Sequence, residues 1–557
     1  MKYFNNPISE TTKPDPFILE VNGFYYCYST HVAGVKVSVS KNLINFEDKG
    51  FAYACEKEKV YWAPSVVYIN GIYYLYYSSV SNEDSNTLDE TLKVGISNSP
   101  LGPFEYKKQF FDYFSIDSHP YFYKGELYMF YSTNIMGCDN DMPGTSILLD
   151  KMKNPLEFAG NPTVVVAPSL DDEIYENDRF NDTRAWYTIE GAAIMERNDK
   201  LYILYSANSY LRENYFINYS VGDLKDDLRD IIFEKYPNDF EYHALMKKNS
   251  EVGGTGHNSV CKGPDLIEDF IVYHGRNNDI PLNIDIEQRT MRLDRLNFDG
   301  DRLLCDGPLL NNIKVPESPK ILLSDVTLNN EKRIIKIEGN YIFELWLRGT
   351  SAHSGIRYGF NVGKSLEFEL LQGKNVIQVF KVNGSIKIKI KEIELNEKYD
   401  HTVSQFFKII KIFDSASLLL EDGRVFKFDL PLFDNIEIIS HFSSVKIEHF
   451  ALNTYDQLEG ENLIYLSNFL EFDRELIVIN KKVDIKSETL ITLLKYGKNL
   501  ITIEPLSNLA TVKVNGEIRK VNSKEDLVLD YKNGLDLDLV VNQIRIAKYK
   551  YTKNCNE

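Results

Sequence analysis

The sequence predicts an all-β protein: an N-terminal five-bladed β-propeller over residues 1–315, then C-terminal β-sandwich domains at 316–456 and 457–557. Three observations carry this. Five Tyr-rich segments share one pattern and recur at intervals of about 50 to 70 residues, the spacing of propeller blades. The composition holds 36 Tyr and 32 Phe against 3 Trp, and flat rings pack well on a pleated surface. After about Pro316 the aromatic hairpins give way to Ile/Lys/Leu alternation, which buries one face of a strand and leaves the other wet.

The repeats come first in chain order. The first is DPFILEVNGFYYCYST from Asp15, and the second is APSVVYINGIYYLYYSS from Ala63. The third is DSHPYFYKGELYMFYST from Asp117, and the fourth is EGAAIMERNDKLYILYSAN from Glu190. The fifth, GHNSVCKGPDLIEDFIVYHGR from Gly256, is looser. In each, a small or polar residue opens the segment and a short apolar strand follows. A turn such as Asn22-Gly23, Asn70-Gly71 or Lys124-Gly125 reverses the chain into an aromatic strand ending in Ser, Thr or Asn. Asn-Gly between such runs is a strong hairpin signal. Intervening runs such as VKVSVSKNLINFE and TLKVGISNSPLGPFEY complete four-stranded blades.

Beyond the repeats, YIFELWLRG to SSVKIEHFALNTY reads as a concanavalin-like or jelly-roll sandwich. A second small β domain follows from about Gln457. Both units close alike, with VKIEHFALNTY and QIRIAKYKYTK. Few aromatics are available there for a flat polysaccharide platform. A shielding or oligomerising role is expected, so a homo-oligomer is an expected state.

A net charge of −18 opposes a nucleic-acid partner and an anionic membrane, each of which needs a basic surface. A neutral sugar is compatible with it. No run of about 18 apolar residues marks a membrane helix. The six cysteines lie far apart without a CxxC pair, so buried free thiols are expected over a disulfide framework. The N-terminal residues contain no apolar run of signal-peptide length. The address read from this is cytoplasmic.

In a propeller the first strand of each blade lines the central channel. The opening residues Asp15, Ala63, Asp117, Glu190 and His257 then converge at one end of it. Three are acids, and acids clustered without basic partners repel one another. That arrangement fits glycosidic hydrolysis, where one carboxylic acid protonates the leaving oxygen and a second carboxylate activates water or attacks carbon. Close like charges and partial burial keep one protonated while its neighbour stays ionised.

Pro14-Asp15-Pro16, Tyr61-Trp62-Ala63-Pro64, Ser115-Ile116-Asp117, Thr188-Ile189-Glu190-Gly191 and Gly256-His257-Asn258-Ser259, in this order, resemble glycoside hydrolase family 43 over roughly residues 5 to 310. The resemblance implies an inverting exo-glycosidase that releases terminal pentose from short oligosaccharides, as β-D-xylosidase or α-L-arabinofuranosidase. Asp15 would be the general base, Glu190 the general acid, and Asp117 the group that orients Glu190 and raises its pKa. Trp62 offers a face for a sugar ring, and His257 and Arg292 are expected near the substrate. No cofactor is required, the metal content is open, and a structural Ca²⁺ near His257 is what relatives allow. An endo-acting arabinanase and a catalytically silent sugar-binding propeller are the alternatives. The choice of pentose is expected to rest on the loops Asn134 to Met142 and Asp171 to Trp186.

Overall fold

The structure is a computed structural model. It describes residues 2–454 except 87–88, 137–141, 180, 182, 300, 338–340, 351–356, 363–365, 372, 397, 413–414, 430–434 and 442–443, and beyond 454 the backbone of strands between Val478 and Tyr551. The protein is all-β. Two short 3₁₀ turns, Asp171–Glu173 and Leu228–Asp230, are the helical elements among the described residues, and no helix there is long and apolar enough to cross a membrane.

Each Tyr-rich segment forms a hairpin that starts an antiparallel meander. The first meander runs Phe17–Val21, Phe24–Ser29, Val35–Ser40 and Glu47–Tyr53, and the second Glu58–Ile69, Ile72–Ser81, Thr91–Ser97 and Glu105–Gln109. The third begins Ser115–Tyr123, Glu126–Ile135 and Gly144–Asn154, and the fourth runs Trp186–Arg197, Lys200–Ala207, Phe216–Asp223 and Glu234–Lys235. The fifth runs Val252–Lys262, Asp269–Asn277, Thr290–Asp299 and Arg302–Cys305. The third and fourth meanders join into one ten-stranded sheet where Gly144 and Thr145 pair in parallel with Tyr187 and Thr188. A Cβ on Gly144 would lie 2.3 Å from the Tyr187 carbonyl oxygen, so only glycine permits this approach.

The hairpin turns have the predicted chemistry. Asn22 and Gly23, Asn70 and Gly71, and Lys124 and Gly125 all have positive φ, as a two-residue type I′ turn requires. The fourth turn does the same without glycine, using Asn198 and Asp199.

Packing is sequential and returns to its start. Buried clusters join the first meander to the second (Val37 with Leu75), the second to the third (Val94 with Met129) and the third to the fourth (Leu149 with Ile203). Another joins the fourth to the fifth (Leu204 with Ile271), and the last joins the fifth to the first (Val272 with Cys27). The first strands of the five meanders likewise neighbour one another in order, the fifth lying beside the first. Chain ends reinforce that last contact. Tyr3–Phe4 pairs with Ile313–Lys314, and the Asn6 side chain bonds both N–H and carbonyl of Leu293.

From Ile321 to Thr454 two six-stranded antiparallel sheets share one core, with Phe343, Leu345 and Phe450 from one sheet against Phe360, Phe368 and Ile438 from the other. The strands between Val478 and Tyr551 form two four-stranded sheets; the remainder of the expected second domain lies outside the described residues.

These C-terminal sheets rest on the hairpin turns of the N-terminal meanders. Ser404 Oγ donates to Asn22 Oδ1 (2.6 Å), the Asn70 N–H donates to Glu421 Oε1 (3.0 Å), and the Gly125 N–H donates to the Asp422 carbonyl (3.0 Å). A Cβ on Gly23 would sit 2.1 Å from His449, and one on Gly71 2.7 Å from Val403. Because a first strand carries its opening residue at one end and its turn at the other, the C-terminal sheets lie at the end away from Asp15, Asp117 and Glu190.

Candidate active site

The opening residues stand on β-bulges. Strand pairing skips from Trp62 to Ser65, Ile116 to His119, Glu190 to Ala193 and Gly256 to Ser259. At each bulge one residue takes positive φ: Ala63 (37°), Asp117 (58°), Gly191 (66°) and His257 (44°), with Asp15 (53°) ahead of the first strand. For a residue other than glycine this costs about 1–3 kcal/mol and persists only where the surroundings enforce it. A bulge re-aims side chains out of the sheet.

The equivalences correct one expectation. Asp15, Ala63, Asp117 and His257 do occupy one place in the repeat, but their counterpart in the fourth meander is Gly191. Glu190 stands one residue earlier, at the place of Trp62, Ile116 and Gly256. The fourth meander thus has no side chain at its bulge, and the acid approaches from the adjoining position.

Each bulge is tied to a neighbouring meander. Thr30 Oγ1 accepts the Ala63 N–H (2.8 Å), Ser65 Oγ meets Ser118 Oγ (2.9 Å), and the Gly191 N–H donates to Asp117 Oδ2 (3.2 Å). Ser206 Oγ accepts the His257 N–H (2.7 Å), and the Asp15 N–H donates to His274 Nδ1 (3.2 Å). Two of these ties use hydroxyls near the ends of the first and fourth repeats.

One pocket gathers Asp15, Trp62, Asp117, Glu190 and His257, together with Ile116, Tyr210, Tyr215 and Arg289. Asp15 is buried. Its Oδ2 accepts from Thr30 Oγ1 (2.6 Å), and its Oδ1 accepts from Arg289 Nη1 (3.1 Å) with His257 Nδ1 3.6 Å away. Burial alone would raise its pKa, but Arg289, His257 and His274 together hold it well below the usual carboxylate range. Asp15 is therefore ionised.

The other two acids go the opposite way. Burial pushes Glu190 up to about 7, with Asp15 adding to the rise and the Tyr215 hydroxyl, which donates to Glu190 Oε1 at 2.8 Å, opposing it. Burial, then Glu190 and Asp15, push Asp117 well above its ordinary value against the Gly191 N–H. Two coupled acids of this kind hold a proton near neutral pH that Asp15 does not. One ionised carboxylate and one protonated acid in a single pocket constitute an acid–base pair.

Arg292 is not at this pocket. It is fully buried in the fifth sheet, donating through Nη2 to Asn277 Oδ1, with Gly275 against its Nε. The arginine at the site is Arg289, whose guanidinium is fixed by Glu287 (2.9 and 2.7 Å) and lies 4.9 Å from the Tyr210 ring. Arg289 precedes the strand Thr290–Asp299, whereas Arg292 falls within it and is turned inward by strand alternation.

Sequence reasoning also missed Thr30, Tyr210 and Tyr215. Thr30 had a signal, since it closes a repeat; His274, whose place at the end of the fifth hairpin reads as structural, accepts the Asp15 N–H. Tyr210 and Tyr215 lie between two strands of the fourth meander and had none. Of the loops expected to select the pentose, residues 137–141, 180 and 182 lie outside the described residues. The lining residues all precede residue 290, so the C-terminal sheets supply no wall among the described residues.

Four cysteines, Cys27, Cys55, Cys261 and Cys305, are free thiols. Among the described residues no three His, Cys, Asp or Glu side chains converge to hold a metal ion. The carboxylate beside His257 is Asp15, already engaged by Arg289.

The profile of Glycosyl hydrolases family 43 matches residues 4–303. The chain is 27% identical over 319 residues to an extracellular exo-alpha-(1->5)-L-arabinofuranosidase of Streptomyces avermitilis, covering 54% of this chain and 62% of that protein. It is 24% identical over 223 residues to a protein of the same name from Streptomyces chartreusis, covering 39% of this chain and 62% of that one. The chain thus spans about three fifths of the length of these curated relatives. Among solved structures it is similar to a thermostable family-43 glycoside hydrolase, at 30% identity and a TM-score of 0.48 over 57% of this chain and 99% of that one. Both Streptomyces relatives are extracellular by name, which overturns the cytoplasmic address. That expectation leaned on the first residues alone, which hold no apolar run of signal-peptide length and do not decide the address.

Proposed function

The chain belongs to glycosyl hydrolases family 43, and on that premise we propose that it is a secreted, inverting exo-glycosidase that releases terminal pentose from arabinose- or xylose-containing saccharides. The names of the relatives support L-arabinofuranose as the first pentose to test, with D-xylose beside it. The observation that carries the reading is the single pocket holding Asp15 ionised and Glu190 raised to about 7.

In this mechanism Glu190 gives its proton to the glycosidic oxygen as the bond to the anomeric carbon breaks. A water on the opposite face of the sugar attacks that carbon and passes a proton to Asp15. Asp117 holds the Gly191 N–H at the bulge and so fixes the backbone that carries Glu190. Tyr215 holds the Glu190 carboxyl from the other side. Trp62 offers a flat apolar face to the ring, and Arg289 keeps Asp15 ionised until it takes the proton of the water.

The five meanders, packed in order with the fifth against the first, support the reading of a five-bladed propeller ending near residue 315. The common core of the two six-stranded sheets supports a sandwich after it. Outward-facing Ile386, Ile388 and Ile390 on one strand support self-association. A calcium ion near His257 would have to be held chiefly by water and backbone oxygens, since Asp15 is already engaged by Arg289.

The test uses aryl β-D-xyloside, α-L-arabinofuranoside and β-D-galactoside, with Asp15→Asn alongside. Release of one pentose, reduced about 10²–10⁴-fold in the variant, with the inverted anomer appearing first by NMR, is the expected result. Equal turnover by Asp15→Asn would sink the assignment of the base. For Glu190→Gln, a loss of similar size is expected on an unactivated disaccharide and a smaller one on a nitrophenyl glycoside, whose leaving group needs no proton.

A further inference from the structure

The contact between the C-terminal sheets and the hairpin turns is incomplete. Between the second and third turns it leaves a cavity of about 140 Å³, room for one sugar ring and not for a chain. Phe122 on the N-terminal side and Tyr399 and Phe406 across the junction supply aromatic surface.

The polar groups around it are mostly committed. Asn70 Oδ1 accepts the Asp400 N–H (2.9 Å), while Arg424 Nε donates to Asp422 Oδ2 (2.8 Å), so the guanidinium is neutralised locally. Glu421 spends Oε1 on the Asn70 N–H. Its Oε2 and Asn396 Nδ2 have no hydrogen-bond partner among the described residues, and both residues line the cavity. Burial raises Glu421 to about 8, the Asn70 N–H opposing and Asp422 adding to the rise, so near neutral pH it is a proton donor without charge. Aromatic faces, a free amide and a neutral carboxyl around a ring-sized space match the hydroxyls and apolar C–H faces of a neutral sugar; they offer an ion nothing.

We propose that this junction cavity is a second, non-catalytic saccharide site that takes one neutral sugar ring at the end of the molecule away from the catalytic pocket. The choice of pentoses as probes rests on the activity proposed above; the site itself does not.

The three tryptophans allow a direct test. Trp346 lies against Phe406, with ring centroids 5.1 Å apart, and Trp62 lines the catalytic pocket. In the full chain labelled with 5-fluorotryptophan, titration with L-arabinose, D-xylose and D-galactose should shift the Trp62 and Trp346 resonances along separate saturation curves. Asn396→Phe, which fills the cavity from its exposed rim, should abolish the Trp346 response and leave turnover of the aryl glycoside within about twofold. Phe122→Ala, which removes the opposite wall, should weaken that response at least about fivefold. A Trp346 resonance that stays fixed with all three sugars overturns the site, as does a response that survives both variants. A Trp346 response in a protein that hydrolyses none of the glycosides would keep the site and overturn the activity.

Discussion

The carboxylates of the pocket differ because their neighbours differ, and Arg289 is the residue that separates them. Without its guanidinium, burial is the dominant influence left on Asp15, so its pKa rises. Arg289→Leu is expected to move the acidic limb of the kcat/KM profile upward by about two pH units, and the alkaline limb upward by less, because Arg289 is the smallest of the influences on Glu190. That alkaline limb belongs to Glu190. The acid must carry its proton, so activity should fall as pH rises through about 7. Tyr215→Phe, which removes a hydrogen bond opposing the rise, should shift that fall to higher pH. The acids were legible in the sequence because each stands at the start of a repeat. The arginine was not, because Arg289, Arg292 and Arg295 lie three apart and only the start of the strand decides which one escapes the sheet.

The bulge is the element that turns a strand into a site. Gly256 shows how little room it has, since a Cβ there would fall 1.8 Å from the Tyr215 ring. Gly256→Ala should therefore displace Tyr215 from Glu190 and lower kcat, with an added loss of stability read as a lower Tm. If kcat is unaffected while Tm falls, Tyr215 does not act through Glu190. Hairpins were legible from Asn-Gly pairs between aromatic runs, but a bulge has no comparable signature, which is how Glu190 came to be placed one residue out of phase. The two-residue parallel join at Gly144 was equally silent. That these turns carry the C-terminal sheets was silent too, because a turn's sequence specifies its own geometry and says nothing of what rests on it.

Across the described residues, buried acids outnumber buried lysines and arginines, in keeping with a net charge of −18. Glu90 is the plainest case: it is fully buried, neither carboxylate oxygen has a hydrogen-bond partner among the described residues, and burial raises it to about 9 despite Lys93. Its folded pKa lies above the unfolded value, so its contribution to stability is complete below about 4.5 and declines as pH rises through about 9. The slope is about 1.4 kcal/mol per pH unit between those limits. Glu90→Gln should flatten the fall of Tm between pH 5 and pH 9; parallel curves would show that Glu90 is ionised and paired in the folded state. The tie between the fifth meander and the first has another consequence, one of timing. Asp15 is made before His274 and Arg289, which hold it and lie 259 and 274 positions downstream. During synthesis the nascent chain carries all three acids well before it carries the groups that tell them apart. A ribosome stalled before the fifth meander would hold a polypeptide with its proton donor in place and its base still an ordinary aspartate, so hydrolytic competence arrives late and in one step.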